Sequence, residues 1–567
     1  MGNANVSEKK RESMPIDTSF KLPSHIPVWP QGDNGDGFGS GIIDLGGLKV
    51  CQISTFNKIW TTLEGGPNNA GATFFEPTGI PEGFFMLGCY GQPNKKPLFG
   101  CVLAAKDDLS SSSSSSSHDT LNGALAKPVD YTLVYSSKSQ KIKQEQEGYI
   151  WLPTPPDGYK AVGHLVTTTP DKPSLDKIRC VRSDFTEECD VSSWIWGPNK
   201  NNNIDPKGFN VYDVRPSNRG IKAPGVLVGT FLAQKGETKS ETNTTTTSSV
   251  SISCLKNTKP NFSSSMPNLP QIKALIQAYS PLLHLHPNED YLPSSVNWFF
   301  TNGALLYNQK DTSKPVPIDQ NGSNLPQGGT QDGAYWLDLP ANKDKRDRVK
   351  KGDLQSSQAY AHIKPMFGGT FTDISMWVFF PFNGPATAKL AFFIDLPLGQ
   401  IGEHVGDWEH LTLRISNFNG ELKRVYFSQH SKGTWVDSSE LEFQNGNKPV
   451  AYSSFHGHAM YPRPGVIMQG NRAFGIKNEA MKSDKVLDLG VGLEIVGGEY
   501  LDSAITEPPW LNYTRQWGPK IRYDAASVIQ NVEKILPWNV KFPNELSGEE
   551  GPTGPKMKIN WNGDEAS

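Results

Sequence analysis

A mainly β protein in two parts is what this sequence predicts: an N-terminal β-prism-like threefold repeat domain, then a C-terminal antiparallel β-sandwich with a short leading helix. Three observations carry the prediction. Gly 54 and Pro 43 punctuate 567 residues that are 10% aromatic and only 20% charged, a composition of short strands joined by tight turns. A motif centred on Pro-x-Gly-aromatic recurs in the first half. In the second half apolar residues alternate with period two, most plainly at Leu411, Leu413 and Ile415. The length exceeds one hydrophobic core at the usual prior of about 150 residues per domain.

Residues 1–35 read as a mobile lead-in, with Phe20-Lys-Leu-Pro and Ile26-Pro-Val-Trp29-Pro at the start of the ordered chain. The repeat domain is placed at 36–234. Its first copy runs Phe75-Glu-Pro77, Pro81-Glu-Gly83-Phe84, Gly88 and Cys101-Val102. Its second runs Trp151-Leu-Pro153, Pro156-Asp-Gly158-Tyr159, Gly163 and Cys180-Val181. A fainter third contains Trp196, Pro206-Lys-Gly208-Phe209 and Pro224-Gly225-Val226. Three such units predict three small sheets around a pseudo-threefold axis. The alternative is that the motif marks ordinary hairpins. The serine run Ser110 to Ser117 predicts a disordered loop at 109–118, and the Ser/Thr-rich stretch 235–267 a linker, because neither has apolar surface to bury.

The second domain is placed at 268–567. Asn268 can cap a helix that has Pro270 in its first turn, apolar Ile272, Leu275, Ile276 and Tyr279 at helical spacing, and Pro281 as its stop. Residues 305–360 read as a polar surface excursion. Strands follow at Ser375–Pro381, Leu390–Asp395, through Ile415, at Arg424–Ser428 and at Val450–Phe455.

The stretch Glu403-His404-Val405-Gly406-Asp407-Trp408-Glu409-His410 bears the candidate chemistry. On a strand, Asp407 and Glu409 share the face of Leu411, Leu413 and Ile415, with His410 on the other. Two carboxylates entering an apolar face need a cation, a proton or several donors. With His404 close by and Asp395 upstream, the set Asp395, His404, Asp407 and Glu409 suits a hard divalent ion, Mg²⁺, Ca²⁺ or Mn²⁺. The alternative is that the acids bond to backbone or pair with Arg414 or Arg424. Eight of eleven histidines lie at or beyond His284. His430, His456 and His458, the last two assigned to one strand face, are candidates to surround the ion or its ligand, together with Trp408.

Composition narrows function. A net charge of −3 gives no footprint for nucleic acid. The first residues lack an apolar signal core, and no 18-residue apolar run predicts a transmembrane segment. Cys51, Cys89, Cys101, Cys180, Cys189 and Cys254 form no CxxC pair, so reduced thiols and a cytoplasmic location are the expectation. Gly2 fits a myristoylation site except that Val6 stands where Ser or Thr is wanted.

These residues also carry a resemblance. Phe20-Lys-Leu-Pro, the Pro-x-Gly-aromatic repeats, Tyr291-Leu-Pro-Ser-Ser-Val, Gly406-Asp-Trp-Glu409 and Trp517-Gly-Pro519 resemble plant proteins related to vacuolar protein sorting-associated protein 62, nearly end to end. The repeat is similar to a β-prism module of multivesicular-body adaptors, which implies binding to acidic lipids. Glu403 through Glu409 resembles the heptapeptide of necrosis-inducing cytolysins, keeping His404, Asp407, Trp408 and Glu409 and departing at Glu403, Val405 and Gly406. That likeness implies a divalent ion held by His404, Asp407, Glu409 and an upstream Asp near position 395, used to bind sphingolipid sugar heads. The expected function is therefore a non-enzymatic, peripheral endomembrane protein of vacuolar trafficking that binds anionic lipid, sphingolipid or glycan head groups. A lectin-like protein and a metal-dependent hydrolase with His430 or His456 as base are the alternatives. No G-x-S-x-G, P-loop, HExxH or dinucleotide fingerprint is present.

Overall fold

The computed structural model describes residues 13–31, 37–108, 123–138, 140–199, 201, 203–236, 250–390, 394–430, 432–470, 474–523, 548–549 and 551–565. Gly2, the serine run and the tract 237–249 lie outside them.

The repeat resolves into three copies of six strands. The first copy is Leu48–Ile53, Phe56–Thr61, Ala72–Pro77, Phe85–Met86, Tyr90–Pro93 and Val102–Asp107. The second is Leu125–Ala126, Asp130–Ser136, Tyr149–Thr154, Tyr159–Lys160, Leu165–Thr167 and Cys180–Arg182. The third is Thr186–Glu187, Cys189–Trp196, Phe209–Pro216, Gly225–Val226, Phe231–Lys235 and Cys254–Lys256. In every copy the second, third and fifth strands form one antiparallel sheet, and the first, sixth and fourth form another. Ile42–Asp44 adds an edge strand in the first copy alone.

Backbone bonds between copies close the ring: Leu103 N donates to Val228 O at 2.8 Å, Arg179 N to Met86 O at 3.0 Å and Ser253 N to Ala161 O at 2.9 Å. Trp60, Phe74, Tyr135, Trp151, Trp196 and Phe231 fill the shared interior. Gly88 and Gly163 meet near the axis, where a Cβ on Gly88 would lie 2.7 Å from Thr230 Cγ2 and 2.9 Å from Gly163 Cα. Only glycine permits that approach.

Three expectations about this half are corrected. The stretch 235–267 does not lie between the domains: after the undescribed tract it supplies the sixth strand of the third copy, Cys254–Lys256. The lead-in is anchored at several points between residues 13 and 31, most of which stay exposed. Ile16 is buried, Phe20 sits edge-on to Phe99, and Trp29 Nε1 donates to Asn419 O. Finally, the six thiols are not all free, since Cys189 and Cys254 form a disulfide and only the other four are unpaired. Pairing of the first and sixth strands brings their Cα atoms to 5.6 Å, inside the range a disulfide spans. Cys180 occupies the place of Cys254 in its own copy, as the pairs Tyr159↔Arg182 and Gly225↔Lys256 show, but no cysteine opens the second strand there.

The second domain is a sandwich on a six-stranded sheet. Its order is Lys432–Asp437, Leu422–Gln429, His404–Ser416, Phe371–Asn383, Ala359–Met366 and Glu494–Gly497. The inner face carries Ile374, Met376, Phe380, Leu411, Leu413 and Ile415, packed on Leu283, Ala451, Leu487 and the helix Leu269–Tyr279. That helix starts at Asn268, whose side chain accepts from Gln271 N while the Gln271 side chain accepts from Asn268 N. The outer face carries Trp377, Phe379, Phe382 and Trp408 under Phe299, Phe300, Trp510, Trp517 and Trp561. The excursion at 305–360 belongs to this cover: Leu306, Leu337 and Val349 are buried in it. Prism and sandwich are in contact, through Phe418 in the prism core and an ion pair from Lys96 to Asp437. Among the described residues no helix is long and apolar enough to cross a membrane.

Candidate functional site

Strand alternation places the acids as the sequence implies. Along His404–Ser416, Asp407 lies opposite Phe380 and Glu409 opposite Val378 on the inner face, while Trp408 and His410 pair with Phe379 and Trp377 on the outer one. The two carboxylates sit at the end of the core strip formed by Leu411, Leu413 and Ile415.

Their surroundings differ. Asp407 Oδ2 lies 3.0 Å from His458 Nδ1, and the His404 ring is nearby. Burial alone would raise Asp407, but the His458 hydrogen bond and the closeness of His404 hold it below the usual carboxylate range. Glu409 accepts a hydrogen bond from Ser428 Oγ. Burial, and then the charge of Asp407, push it up to about 8. The two acids on one buried face are thus pushed in opposite directions, as like charges held close together are.

The histidines arrive from turns. The strand Lys448–Ser453 ends before His456 and His458, which sit in the next turn and not on a shared strand face. Both have left-handed backbone, φ 63° and 53°, as does His430 at 58°. Strained non-glycine residues gather at sites that over-determine them. His458 reaches Asp407, stacks on Phe380 with centroids 3.8 Å apart and places Nε2 3.1 Å from Tyr291 O. His456 turns aside: its N–H donates to Glu289 Oε2 at 2.7 Å, and its Nδ1 faces Pro385 O. His430 Nε2 lies 3.2 Å from Asn478 Oδ1 at the exposed rim. His404 Nδ1 lies 2.7 Å from Gly406 O.

Two expected members are elsewhere. Asp395 forms ion pairs with Lys389 at 2.5 Å and Lys477 at 3.0 Å on a separate four-stranded sheet, where two lysines satisfy its charge. Trp408 is clasped on the outer face by Phe379, Trp510 and Trp517 and cannot meet a ligand on the inner one. Among the described residues, no three His, Cys, Asp or Glu side chains group closely enough to enclose an ion.

Sequence reasoning missed Glu289 and Ser428. Buried Glu289 accepts from Tyr291 N at 2.9 Å and from His456 N, so it shapes the turn that delivers His458. Its one signal was an acid between the apolar Leu282–Leu285 run and Tyr291.

A yeast (Saccharomyces cerevisiae) protein described as vacuolar protein sorting-associated protein 62 is 28% identical over 187 residues, 29% of this chain and 37% of the relative. A second from the same yeast, the putative vacuolar protein sorting-associated protein TDA6, is 26% identical over 198 residues, again 29% and 37%. The chain therefore spans little more than a third of the length of these curated relatives. A necrosis and ethylene inducing protein 2 from the causal agent of cocoa's witches' broom disease is similar at 14% identity and a TM-score of 0.18, covering 41% of this chain and 77% of that one. The family model for vacuolar protein sorting-associated protein 62 matches residues 16–565, from the anchored N-terminal segment to the last described residue, and the chain belongs to that family.

Proposed function

We propose that this chain is a non-enzymatic, peripheral protein of vacuolar and endomembrane sorting, binding lipid or glycan head groups through a divalent ion at Asp407 and Glu409. The observation that carries the reading is the buried carboxylate pair, with its acids pushed in opposite directions. A cation would remove the repulsion that raises Glu409 beside Asp407. Two carboxylates with the remaining positions left to water is a common way of holding Mg²⁺. His404, whose charge bears on Asp407, would complete the set, and His458 would keep Asp407 ionised and oriented. When bound, the ion would supply a positive centre for phosphate or hydroxyl oxygens of a head group. Membership of a family named for vacuolar protein sorting supports the cellular setting.

The test is binding of the purified chain to vesicles containing phosphatidylserine or a glycosylated sphingolipid, and to a glycan array, with Mg²⁺ or with chelator. Cation-dependent vesicle binding that Asp407→Asn removes supports the reading. Binding to free glycans alone would select the lectin-like alternative, and cation-dependent head-group cleavage the hydrolase. Binding that ignores both chelator and Asp407→Asn would sink it.

A further inference from the structure

On the outer face of the main sheet, away from Asp407 and Glu409, three basic side chains are buried together. Lys364 is 0%, Arg414 5% and His410 8% exposed. The sheet itself offers one matched anion, Asp373, which holds Arg414 at 2.7 Å. The balance comes from a segment that makes no β-ladder with this sheet. Residues Pro555–Met557 and Ile559–Trp561 form two short 3-10 turns, and the chain then crosses the sheet as a strap. Asp564 Oδ1 lies 2.6 Å from Arg414. Glu565 accepts from Thr412 Oγ1 at 2.5 Å, lies 3.1 Å from His410 Nε2 and 3.6 Å from Lys364 Nζ. Lys364 also donates to Asn560 O at 2.8 Å, and Trp561 stacks on His362 with centroids 3.8 Å apart.

The strap reaches the prism as well. Asp564 lies 3.4 Å from Arg219 Nε, and Ile221 N donates to Asn562 O. Both units therefore close on Asp564, while Glu565 is held by the sandwich alone. Burial would raise both acids, yet the neighbouring Arg414 for Asp564, and His410 and Lys364 for Glu565, hold them below the ordinary range. Taking the carboxylates away leaves the buried Lys364 without an anion and Arg414 with Asp373 alone, and an unpaired charge is the costly half of any buried ion pair.

We propose that Lys364, His410 and Arg414, with Thr412, form a receptor pocket for two adjacent carboxylates, filled here by Asp564 and Glu565, and that an acidic peptide of like sequence exchanges with this strap. The strap makes no ladder with the main sheet, being held by side chains and by the backbone bond from Ile221 N to Asn562 O, so it can leave without unzipping the sheet. Its departure would free the prism from the sandwich at Arg219.

The test uses the full chain with a protease site at position 550, cut after folding, and a fluorescent peptide of residues 551–565. Exchange of this peptide into the nicked protein, with a version carrying Asp564→Asn and Glu565→Gln competing at least about tenfold less well, supports the proposal. Equal competition by both peptides, or no exchange, overturns it. If cutting unfolds the protein, the uncut double variant Asp564→Asn/Glu565→Gln decides. A lowered melting temperature that inorganic phosphate partly restores, without a matching rise in the wild type, supports an anion receptor. An unchanged melting temperature, or a loss that phosphate does not recover, overturns it.

Discussion

His458 Nδ1 stands 3.0 Å from Asp407 Oδ2, and the same ring is pinned by Phe380 on its face and by the Tyr291 carbonyl at its other nitrogen. The acid and its partner are separated by 51 residues, so this contact ties the central strand to the turn after Ser453.

His458→Ala should destabilise the fold by about 3 kcal/mol, since it leaves a buried carboxylate without its donor and opens space beside Phe380. Chemical denaturation of the variant checks this. A change under about 0.5 kcal/mol, the scale of surface substitutions, would mean that Asp407 finds another donor.

A cation should stabilise the wild type by about 2.7 kcal/mol at a hundredfold excess over Kd. Asp407→Asn should abolish that gain and keep the fold. Asp395→Asn should leave it intact, because Asp395 is spent on Lys389 and Lys477. Thermal melts with EDTA, Mg²⁺, Ca²⁺ and Mn²⁺ decide. If no ion shifts the wild type, the carboxylate pair is a structural feature alone.

The disulfide closes a loop of 65 residues, which by chain entropy stabilises the fold by about 4 kcal/mol. Alkylation under denaturing, non-reducing conditions should label four thiols of the six. A protease site built into 237–249 and cut should give one band without reductant and two with it. Two bands in both lanes would exclude the Cys189–Cys254 pairing.

Glu187, half-buried in the third copy, is raised by burial from 4.5 to about 7, with Lys256 opposing weakly. An acid with a raised folded pKa contributes stability that is fully present below its unfolded value and lost as pH rises through the folded one. Stability should therefore fall between about pH 4.5 and 7. Glu187→Gln should flatten that part of the profile in melts across the window. An unchanged slope would assign it to other groups.

Short-range regularities were legible in the chain alone. Period two put Asp407 and Glu409 on the face of Leu411, and it sent His410 to the other side, where it stacks on Trp377. Asn268 and Pro270 marked a helix that begins where they say. Recurring Pro-x-Gly-aromatic turns announced a threefold domain, because each copy folds its strands locally. What tertiary structure decided were closures between distant segments. The third copy takes its last strand from beyond an undescribed tract, Cys254 meets Cys189, and Asp407 takes its partner from His458 while Asp395 goes to two lysines. None of these has a local signature, since strand pairing across 50 or more residues depends on register and on which buried charge is nearest in space, and periodicity along one segment carries neither.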